Sequence, residues 1–225
     1  MLDRVLLISG GNINLEFAVS FLENYSFDTV VCADSGLDAA YQLHLPVQYF
    51  MGDFDSVCPD ILERYRNGEV IGSEGASWIR YPAEKDYIDT QLVLEWILER
   101  GASEIVILGA TGGRLDHFMA NVNLLMLPLK QNIPAVIVDE QNRIRLIDRD
   151  FVLRREEVFG KYVSLQPLTN RVTGVTLEGL KYPLHDYTLA VGTARAVSNE
   201  LAPDAREAVI HLREGVLIVT ESRES

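Results

Sequence analysis

Cysteine is scarce in this chain, and this scarcity argues against both disulfide-based and zinc-based structural sites. The only two cysteines, Cys32 and Cys58, stand far apart and form no CxxC pair, so the sequence predicts neither a disulfide framework nor a zinc site. We expect both thiols to be buried as small apolar groups. Long apolar runs are also missing: the stretch 5–8 is too short for a signal peptide, and no later run could span a bilayer. These absences predict a cytoplasmic chain.

Positive charge is the second scarcity. The 225 residues carry 20 Lys and Arg against 33 Asp and Glu, a formal net charge of -13. Binding of nucleic acid requires a clustered basic surface, which this sequence does not contain. The motifs GxxxxGK[ST], GxGxxG and HExxH are absent as well. The sequence therefore argues against a nucleic-acid partner, a standard P-loop and a standard dinucleotide fold.

The pattern of apolar residues predicts an α/β fold followed by an all-β region. Up to about residue 140, short apolar strands (residues 5–8, 29–32, 47–51, 105–108 and 134–138) alternate with segments of helical period, which favours a doubly wound, mostly parallel sheet. The first helix is predicted to bury one face, formed by Leu15, Ala18, Val19 and Leu22.

From about residue 142 the apolar residues alternate with a period of two in short runs. Each such strand has one apolar face to bury, so we expect a C-terminal antiparallel β-sandwich. The predicted domains are residues 1–141 and 142–225.

Four acidic or glycine-bearing stretches follow apolar runs, at residues 33–36, 52–56, 85–89 and 109–117. Mg²⁺ prefers a few carboxylates together with substrate phosphates, and phosphates bind backbone N–H groups where glycines allow a close approach. Parallel strands bring their carboxyl ends to one edge of the sheet. The four stretches together therefore predict one site for a magnesium-bound nucleotide.

Three aspartates follow two neighbouring predicted strands. Asp53 and Asp55 are two residues apart, so in extended chain both carboxylates face the same side and can share one cation. Turn formation is the alternative for this pair. Asp34 is expected at the same edge of the sheet, with capping of the next helix as its alternative role.

Lys85, Asp86 and Asp89 stand at the start of a helix predicted over residues 86–100, which Gly101 ends. Acidic residues in a first turn complement the helix dipole, and this explanation alone would account for Asp86. A cation at that place is slightly unfavourable, so Lys85 is better explained by a phosphate ligand.

The stretch 109–117 is the most specific of the four. It contains three glycines among its first five residues, then Arg114 and Asp116, and a helix begins near His117. Glycine-rich backbone and a helix N-terminus both attract phosphate, and the Arg114 guanidinium offers a planar pair of donors. His117 is interpreted as a first-turn residue of the helix rather than as a general base.

In this order the motifs resemble those of the thiamine pyrophosphokinase family, and the resemblance covers nearly the whole chain. It includes Ser-Gly-Gly-Asn at residues 9–12, Gly-Asp-Phe-Asp-Ser at 52–56, Lys-Asp-x-x-Asp at 85–89 and Gly-Ala-Thr-Gly-Gly-Arg-Leu-Asp-His at 109–117. The β-rich half adds residues 179–184 and Val-Ser-Asn-Glu at 197–200. The family transfers a pyrophosphoryl group from ATP to thiamine, giving thiamine diphosphate and AMP.

The resemblance implies an N-terminal domain for ATP and Mg²⁺, a C-terminal β-sandwich, and a homodimer with thiamine bound between subunits. It implies catalytic roles for Asp34, Asp53, Asp55, Lys85, Asp89 and Arg114, the four aspartates being the acidic residues around Mg-ATP. Our hypothesis assigns the metal to Asp53, Asp55 and Asp89. The implied nucleotide-binding residues are Gly109, Thr111, Gly112, Gly113, Arg114, Asp116 and His117. Ser198 and Asn199 match the segment that contacts the thiamine pyrimidine.

This sequence departs from the family pattern at two places. Ile88 stands where the family usually has Thr, so a hydroxyl contact from that position is lost. Residues 72–80 offer no motif to align, and Trp78 receives no role.

Two other classes remain open on the sequence alone. The Asp53-Phe54-Asp55 triplet is similar to the nucleophile motif of haloacid-dehalogenase-type phosphatases, which would release phosphate through a covalent intermediate. A nucleotide sensor would bind Mg-ATP without turnover.

Overall fold

Apolar runs of four or five residues form a parallel sheet in the first part of the chain. The computed structural model describes residues 2–81 and 88–224, and internal contacts divide the chain into residues 1–140 and 141–225. The described part of the first unit contains six strands: β1 (Arg4–Ile8), β2 (Thr29–Ala33), β3 (Tyr49–Gly52), β4 (Ser77–Arg80), β5 (Glu104–Leu108) and β6 (Ala135–Val138). Its helices are α1 (Leu15–Asn24), α2 (Gly36–Gln42), α3 (Pro59–Arg66), α4 (Asp89–Glu99), α5 (Leu115–Leu124) and α6 (Met126–Lys130).

The order of these strands creates a switch point in the middle of the sheet. The strands lie in the order β4-β3-β2-β1-β5-β6, and each neighbouring pair is parallel. The chain thus moves outward from β1 to β4 and then returns to the other side of β1. Val5 of β1 accordingly pairs with Thr29 of β2 on one side and with Ile105 of β5 on the other. In open α/β sheets, ligands bind beyond the carboxyl ends of the strands at such a point.

The structure corrects two expectations about burial in this unit. In α1 the buried residues are Ala18 and Phe21, whereas Leu15 and Val19 are 36% and 48% exposed, so the predicted apolar face is right at Ala18 and wrong at Leu15 and Val19. Phe21 is buried instead and stacks on Tyr25, with 4.4 Å between ring centroids. Cys32 is buried as expected within β2, but Cys58 is exposed because it lies in the loop that caps α3.

Helix α4 begins at Asp89, and Gly101 follows it with φ +71°, a left-handed turn that glycine adopts without a steric penalty. The helix predicted over residues 86–100 is thus present from Asp89 onward, and Asp86 lies outside the described residues.

The second unit is a β-sandwich with its own apolar core. Its strands are β7 (Asn142–Ile147), β8 (Phe151–Arg154), β9 (Tyr162–Pro167), β10 (Arg171–Glu178), β11 (Leu184–Ala190), β12 (Glu207–His211) and β13 (Leu217–Ser222). Antiparallel strands β7-β13-β9 form one layer and β11-β10-β12-β8 the other. Residues such as Leu165, Val175 and Val219 are buried between them. The predicted fold class is confirmed for both halves of the chain.

Within residues 2–81 and 88–224, no helix has the length and apolar character needed to cross a bilayer.

Candidate active site

A cavity of about 370 Å³ opens at the switch point of the parallel sheet. Its walls come from the first unit: the loops after β1, β2, β3 and β5, the first turn of α4, and helix α5. This position follows from the topology, because β1 and β5 are the neighbouring strands from which the chain leaves in opposite directions.

Two glycine loops lie against each other at one side of the cavity. The Gly11 N–H donates to the Gly109 carbonyl at 2.9 Å, and Gly109 has φ +71°. A Cβ on Gly112 would lie 2.7 Å from the Asn12 carbonyl oxygen, closer than real Cβ contacts allow. The glycines are therefore required by backbone packing, and they leave N–H groups along the cavity wall that suit an anionic ligand.

Asn121 fixes the second glycine loop from within helix α5. This residue is 5% exposed, and its side-chain Nδ2 donates to the Ala110 carbonyl at 2.9 Å. Because a carbonyl only accepts, the donor must be Nδ2, which assigns the orientation of the amide. Asn121 was not identified from the sequence. The signal that could have pointed to it is an amide side chain on the helix that follows the glycine loop.

A second buried polar pair joins the loop after β1 to helix α4. The hydroxyls of Ser9 and Thr90 are 2.9 Å apart, and both residues are less than 9% exposed. Thr90 follows Asp89 directly, so this bond anchors the turn that carries the Asp89 carboxylate. The site predictions did not include either residue, although the Ser-Gly-Gly sequence after β1 marked the loop.

Asp34 and Asp89 meet at the floor of the cavity. Burial, a side-chain hydrogen bond with Asp89 and the charge of Asp89 together raise the pKa of Asp34 to about 7. The Phe54 N–H donates to Asp34 Oδ1 at 3.4 Å and opposes this shift. Two carboxyl groups that share a hydrogen bond require a proton or a cation between them.

Asp53 and Asp55 lie on a tight loop directly after β3. The Asp55 N–H donates to Asp53 Oδ1 at 3.1 Å, so Asp53 forms the turn that was the alternative reading of this pair. Asp53 is close enough to Asp34 for its charge to raise the pKa of Asp34. Neither Asp53 nor Asp55 lines the cavity, whereas the next residue, Ser56, does.

The donor set suits a magnesium ion. Among the described residues no group of three or more His, Cys, Asp or Glu side chains is arranged to hold a metal. Mg²⁺, however, is usually held by one or two carboxylates with waters and substrate phosphates, so a complete protein cage is not needed. Asp34 and Asp89 are in contact and the negative charge of Asp53 is nearby, so this corner of the cavity offers hard oxygen groups to the ion and to the waters that it keeps.

Arg114 stands at the mouth of the cavity, held by a neighbour in its own loop. Its guanidinium binds Asp116 through two hydrogen bonds of 3.1 and 2.6 Å, and both side chains are largely exposed. The Arg114 hydrogen bond lowers the pKa of Asp116, and the same bond raises the pKa of Arg114. Asp116 also accepts the His117 N–H at 3.0 Å, which places His117 in the first turn of α5 as expected.

Both helices that open on the cavity begin without a side-chain cap. Ile88 and Arg114 occupy the capping positions of α4 and α5, and neither side chain accepts a backbone N–H. The uncapped first-turn N–H groups carry the positive end of each helix dipole. The starts of α4 and α5 thus place the positive ends of two helix dipoles at a cavity whose side chains include carboxylates.

The structure therefore brings together part of the predicted site. Asp34, Asp89, Arg114, His117 and the three glycines of the second glycine loop (Gly109, Gly112 and Gly113) line one cavity. Thr111 and Asp116 belong to the same loop and helix start but do not line it, and Lys85 lies outside the described residues.

Ser198 and Asn199 belong to the second unit. Asn199 is 2% exposed, and its amide accepts the Tyr182 N–H at 3.0 Å and donates to the Tyr182 carbonyl at 2.8 Å. Ser198 is exposed with φ +56°, and its N–H donates to the Ser164 hydroxyl at 3.0 Å. The Asn199 side chain thus fixes the loop, in which Ser198 is exposed.

Known proteins match this chain over both units. The family model described as thiamin pyrophosphokinase, catalytic domain, matches residues 22–137, and the one described as thiamin pyrophosphokinase, vitamin B1 binding domain, matches residues 150–217. Thiamine pyrophosphokinase of Bacillus subtilis (strain 168) is 34% identical over 195 residues, which are 86% of this chain and 83% of the relative.

Solved structures agree over the whole chain. A crystal structure of thiamine pyrophosphokinase from Bacillus subtilis has a TM-score of 0.84 at 27% identity and covers 99% of this chain and 100% of its own. A thiamin pyrophosphokinase family protein from Enterococcus faecalis has a TM-score of 0.79 at 32% identity, with 99% and 100% covered. The chain therefore belongs to the thiamin pyrophosphokinase family, whose enzymes transfer the pyrophosphoryl group of ATP to thiamine.

Proposed function

We propose that this chain makes thiamine diphosphate and AMP from thiamine and ATP in the cavity at the switch point of its parallel sheet. The observation that carries the proposal is the meeting of the Asp34 and Asp89 carboxyls beside two interlocked glycine loops. Carboxylates for a divalent ion and backbone donors for phosphates are the two requirements of a magnesium-nucleotide site.

The nucleotide phosphates are assigned to the glycine loops and to the start of α5. Gly109, Gly112 and Gly113 give the backbone access, and Arg114 offers its guanidinium at the rim. Thr111, Asp116 and His117 belong to the same segment and are assigned to nucleotide binding with it. Lys85 is assigned to the phosphates as a second cation.

Magnesium is assigned to Asp53, Asp55 and Asp89, with Asp34 supporting the cluster through water. When bound, Mg²⁺ would neutralise phosphate charge and align the triphosphate. The Phe54 N–H donates to Asp34, and this hydrogen bond holds the loop of Asp53 and Asp55 next to the Asp34–Asp89 pair.

The reaction itself asks the protein mainly for position and charge. The thiamine hydroxyl oxygen attacks the β-phosphorus, the bond from that phosphorus to the oxygen of the α-phosphate breaks, AMP leaves, and the hydroxyl proton passes to solvent. Such transition states are loose, so alignment and charge neutralisation supply most of the acceleration and no strong base is required. Arg114 and Lys85 are the side chains assigned to the developing charge.

Thiamine is assigned to the second unit, through Ser198 and Asn199, and the working form is proposed to be a homodimer with the site at the subunit interface. The exposed Ser198 hydroxyl is available for a ligand, whereas Asn199 would act by holding the loop in shape. Sedimentation of the purified protein tests the dimer: a monomer that is fully active would contradict it.

The decisive assay incubates the purified protein with ATP, Mg²⁺ and thiamine and resolves the nucleotide products. AMP that depends on thiamine is the expected product. Phosphate release with a covalent aspartyl intermediate would identify a phosphatase, and Mg-ATP binding without turnover would identify a sensor.

Asp55→Ala tests the metal assignment within the same assay. AMP formation is expected to disappear while the circular dichroism spectrum stays unchanged, because Asp55 is exposed and outside the core. Retained turnover would remove Asp55 from the site. Asp60→Ala, another exposed aspartate in the first turn of α3, is the matched control and should keep full activity.

A further inference from the structure

An aromatic cluster lies behind the acidic loop that follows β3. Trp78 on strand β4 packs against Phe50 with 4.4 Å between ring centroids, and Phe50 and Trp78 are register partners in the sheet. The Trp78 ring also meets Phe54 edge to face, with centroids 5.4 Å apart and planes at 71°. Phe54 is only 9% exposed although it sits in a surface loop.

Phe54 has a backbone conformation that side chains disfavour. Its φ is +67°, in the left-handed region where a Cβ clashes with the following carbonyl. Such a conformation persists only where the surroundings impose it. Two contacts restrain this conformation: the Trp78 ring packs on the buried Phe54 ring, and Asp34 accepts the Phe54 N–H.

The backbone of Phe54 carries this constraint to the acidic groups. Phe54 is the residue between Asp53 and Asp55, so its φ sets the direction of both carboxylates. Its N–H donates to Asp34 Oδ1 at 3.4 Å, so the same residue also holds the carboxyl that contacts Asp89. One ring contact therefore orients a loop that supplies acidic groups to the proposed metal site.

We propose that Trp78 is a positioning residue for the metal site: by clamping the Phe54 ring it holds the Asp53–Asp55 loop in the conformation that binds the divalent ion. The inference rests on the proposed function, which assigns magnesium to this loop. Trp78 does not line the cavity, so its effect on the metal site passes through the rings it contacts, chiefly Phe54 within the acidic loop.

Direct binding of Mn²⁺, measured by loss of the free-ion electron paramagnetic resonance signal, tests this inference without any assay of turnover. Mn²⁺ accepts the same oxygen ligands as Mg²⁺. Removal of residues that orient metal ligands typically weakens binding about tenfold to a hundredfold. Trp78→Leu and Phe54→Leu are each expected to weaken Mn²⁺ binding at least about tenfold, and Trp78→Phe, which keeps a ring against Phe54, should restore most of it.

The double variant Trp78→Leu/Phe54→Leu distinguishes a clamp from two separate effects. If Trp78 acts through Phe54, the Mn²⁺ affinity of the double variant equals that of the single variant with the lower affinity. Additive losses, or wild-type affinity in both single variants, would overturn the inference. If Trp78→Leu does not fold, Phe54→Leu decides alone, since wild-type affinity in that variant contradicts the clamp.

Trp96→Phe is the matched control for the loss of an indole in the same unit. Trp96 packs on Tyr49 and under the Arg100 guanidinium, away from the acidic loop, and its variant should bind Mn²⁺ like the wild type. Failure of the proposed function would give a different result. A wild-type protein that binds Mn²⁺ and loses this binding on substitution of Asp53, yet makes no AMP, would contradict the proposed function but not the role of Trp78.

Discussion

The carboxyl of Asp34 hydrogen-bonds the carboxyl of Asp89, although one follows the second strand and the other opens the fourth helix. Burial and this neighbour hold the Asp34 pKa near 7, so without a cation the pair keeps a proton that isolated carboxylates would lose. The arrangement is unfavourable for the empty protein at alkaline pH and favourable for a bound cation.

Asp34→Asn should therefore stabilise the metal-free protein at pH 8. The pKa of Asp34 is about 7 in the fold, above the value near 3.9 of an unfolded aspartate, so the group favours the folded state at low pH and loses that contribution as the pH rises through 7. Asparagine keeps the acceptor for the Phe54 N–H and a donor toward Asp89 without the charge. Because Asp34 is only partly buried, we expect a gain of about 1–2 kcal/mol after allowance for solvent screening.

Urea unfolding in EDTA at pH 8 and pH 5 measures this effect. The gain should shrink at pH 5, where the wild-type carboxyl is already protonated. Thiamine-dependent AMP formation should fall in the same variant. A lower unfolding free energy of Asp34→Asn at pH 8 would contradict the prediction.

Ile88→Thr should stabilise helix α4. Ile88 occupies the capping position with extended backbone (φ −71°, ψ 151°) and forms no side-chain cap. A threonine hydroxyl there can accept a first-turn N–H, which is typically worth about 0.5–2 kcal/mol. Thermal unfolding should show a higher midpoint for Ile88→Thr than for Ile88→Val, which matches the branched shape without the hydroxyl. Equal midpoints would mean that ligand or solvent already satisfies those N–H groups.

Gly112→Ala should disable the nucleotide site. The added Cβ would meet the Asn12 backbone at 2.7 to 2.9 Å, which forces the two glycine loops apart. A misplacement of about 1 Å at a reacting group can lower the rate about a hundredfold. We expect kcat/KM for ATP to fall by that order. Gly75→Ala is the control, since nothing lies within 4 Å of its Cβ and its φ is ordinary, and it should keep wild-type kinetics.

Arg114→Ala should lower kcat more than it raises KM for ATP, because the guanidinium is proposed to stabilise charge that develops in the transition state. Arg114→Lys should recover only part of the loss, since lysine lacks the planar pair of donors. Arg149→Ala removes a similarly exposed guanidinium that pairs with Asp148, and it should leave turnover unchanged. A change in KM alone for Arg114→Ala would contradict the catalytic role.

Elements with a strong periodic signal could be predicted from the sequence, and elements held by distant contacts could not. The runs around Val5, Val30 and Ile105 are buried on both faces, so their strand assignment needed no tertiary information. Strand β4 has only four residues with exposed ends, and it exists because it pairs with β3 and packs Trp78 on Phe50. On α1, Leu15 and Val19 were predicted to be buried and are exposed, because spacing alone does not show that Phe21 packs on Tyr25.

The same distinction holds for the site. Asp34 and Asp89 could be predicted as neighbours, since a strand end and a helix start both point to the carboxyl edge of the sheet. The Asp116 bond to Arg114 and the turn formed by Asp53 depend on side-chain torsions that spacing does not encode. Asn121 and the Ser9–Thr90 pair are found only once β1, α4 and α5 are packed together.

Gly52 has φ +148°, and a Cβ at that position would overlap the Asp34 carboxyl. The end of β3 can therefore lie against the Asp34 carboxyl only if residue 52 has no side chain. In a saturation library of cells whose growth depends on this enzyme for its product, every substitution of Gly52 should be lost together with the loss-of-function variants at position 34. Position 52 should therefore be as invariant under selection as the acidic position itself.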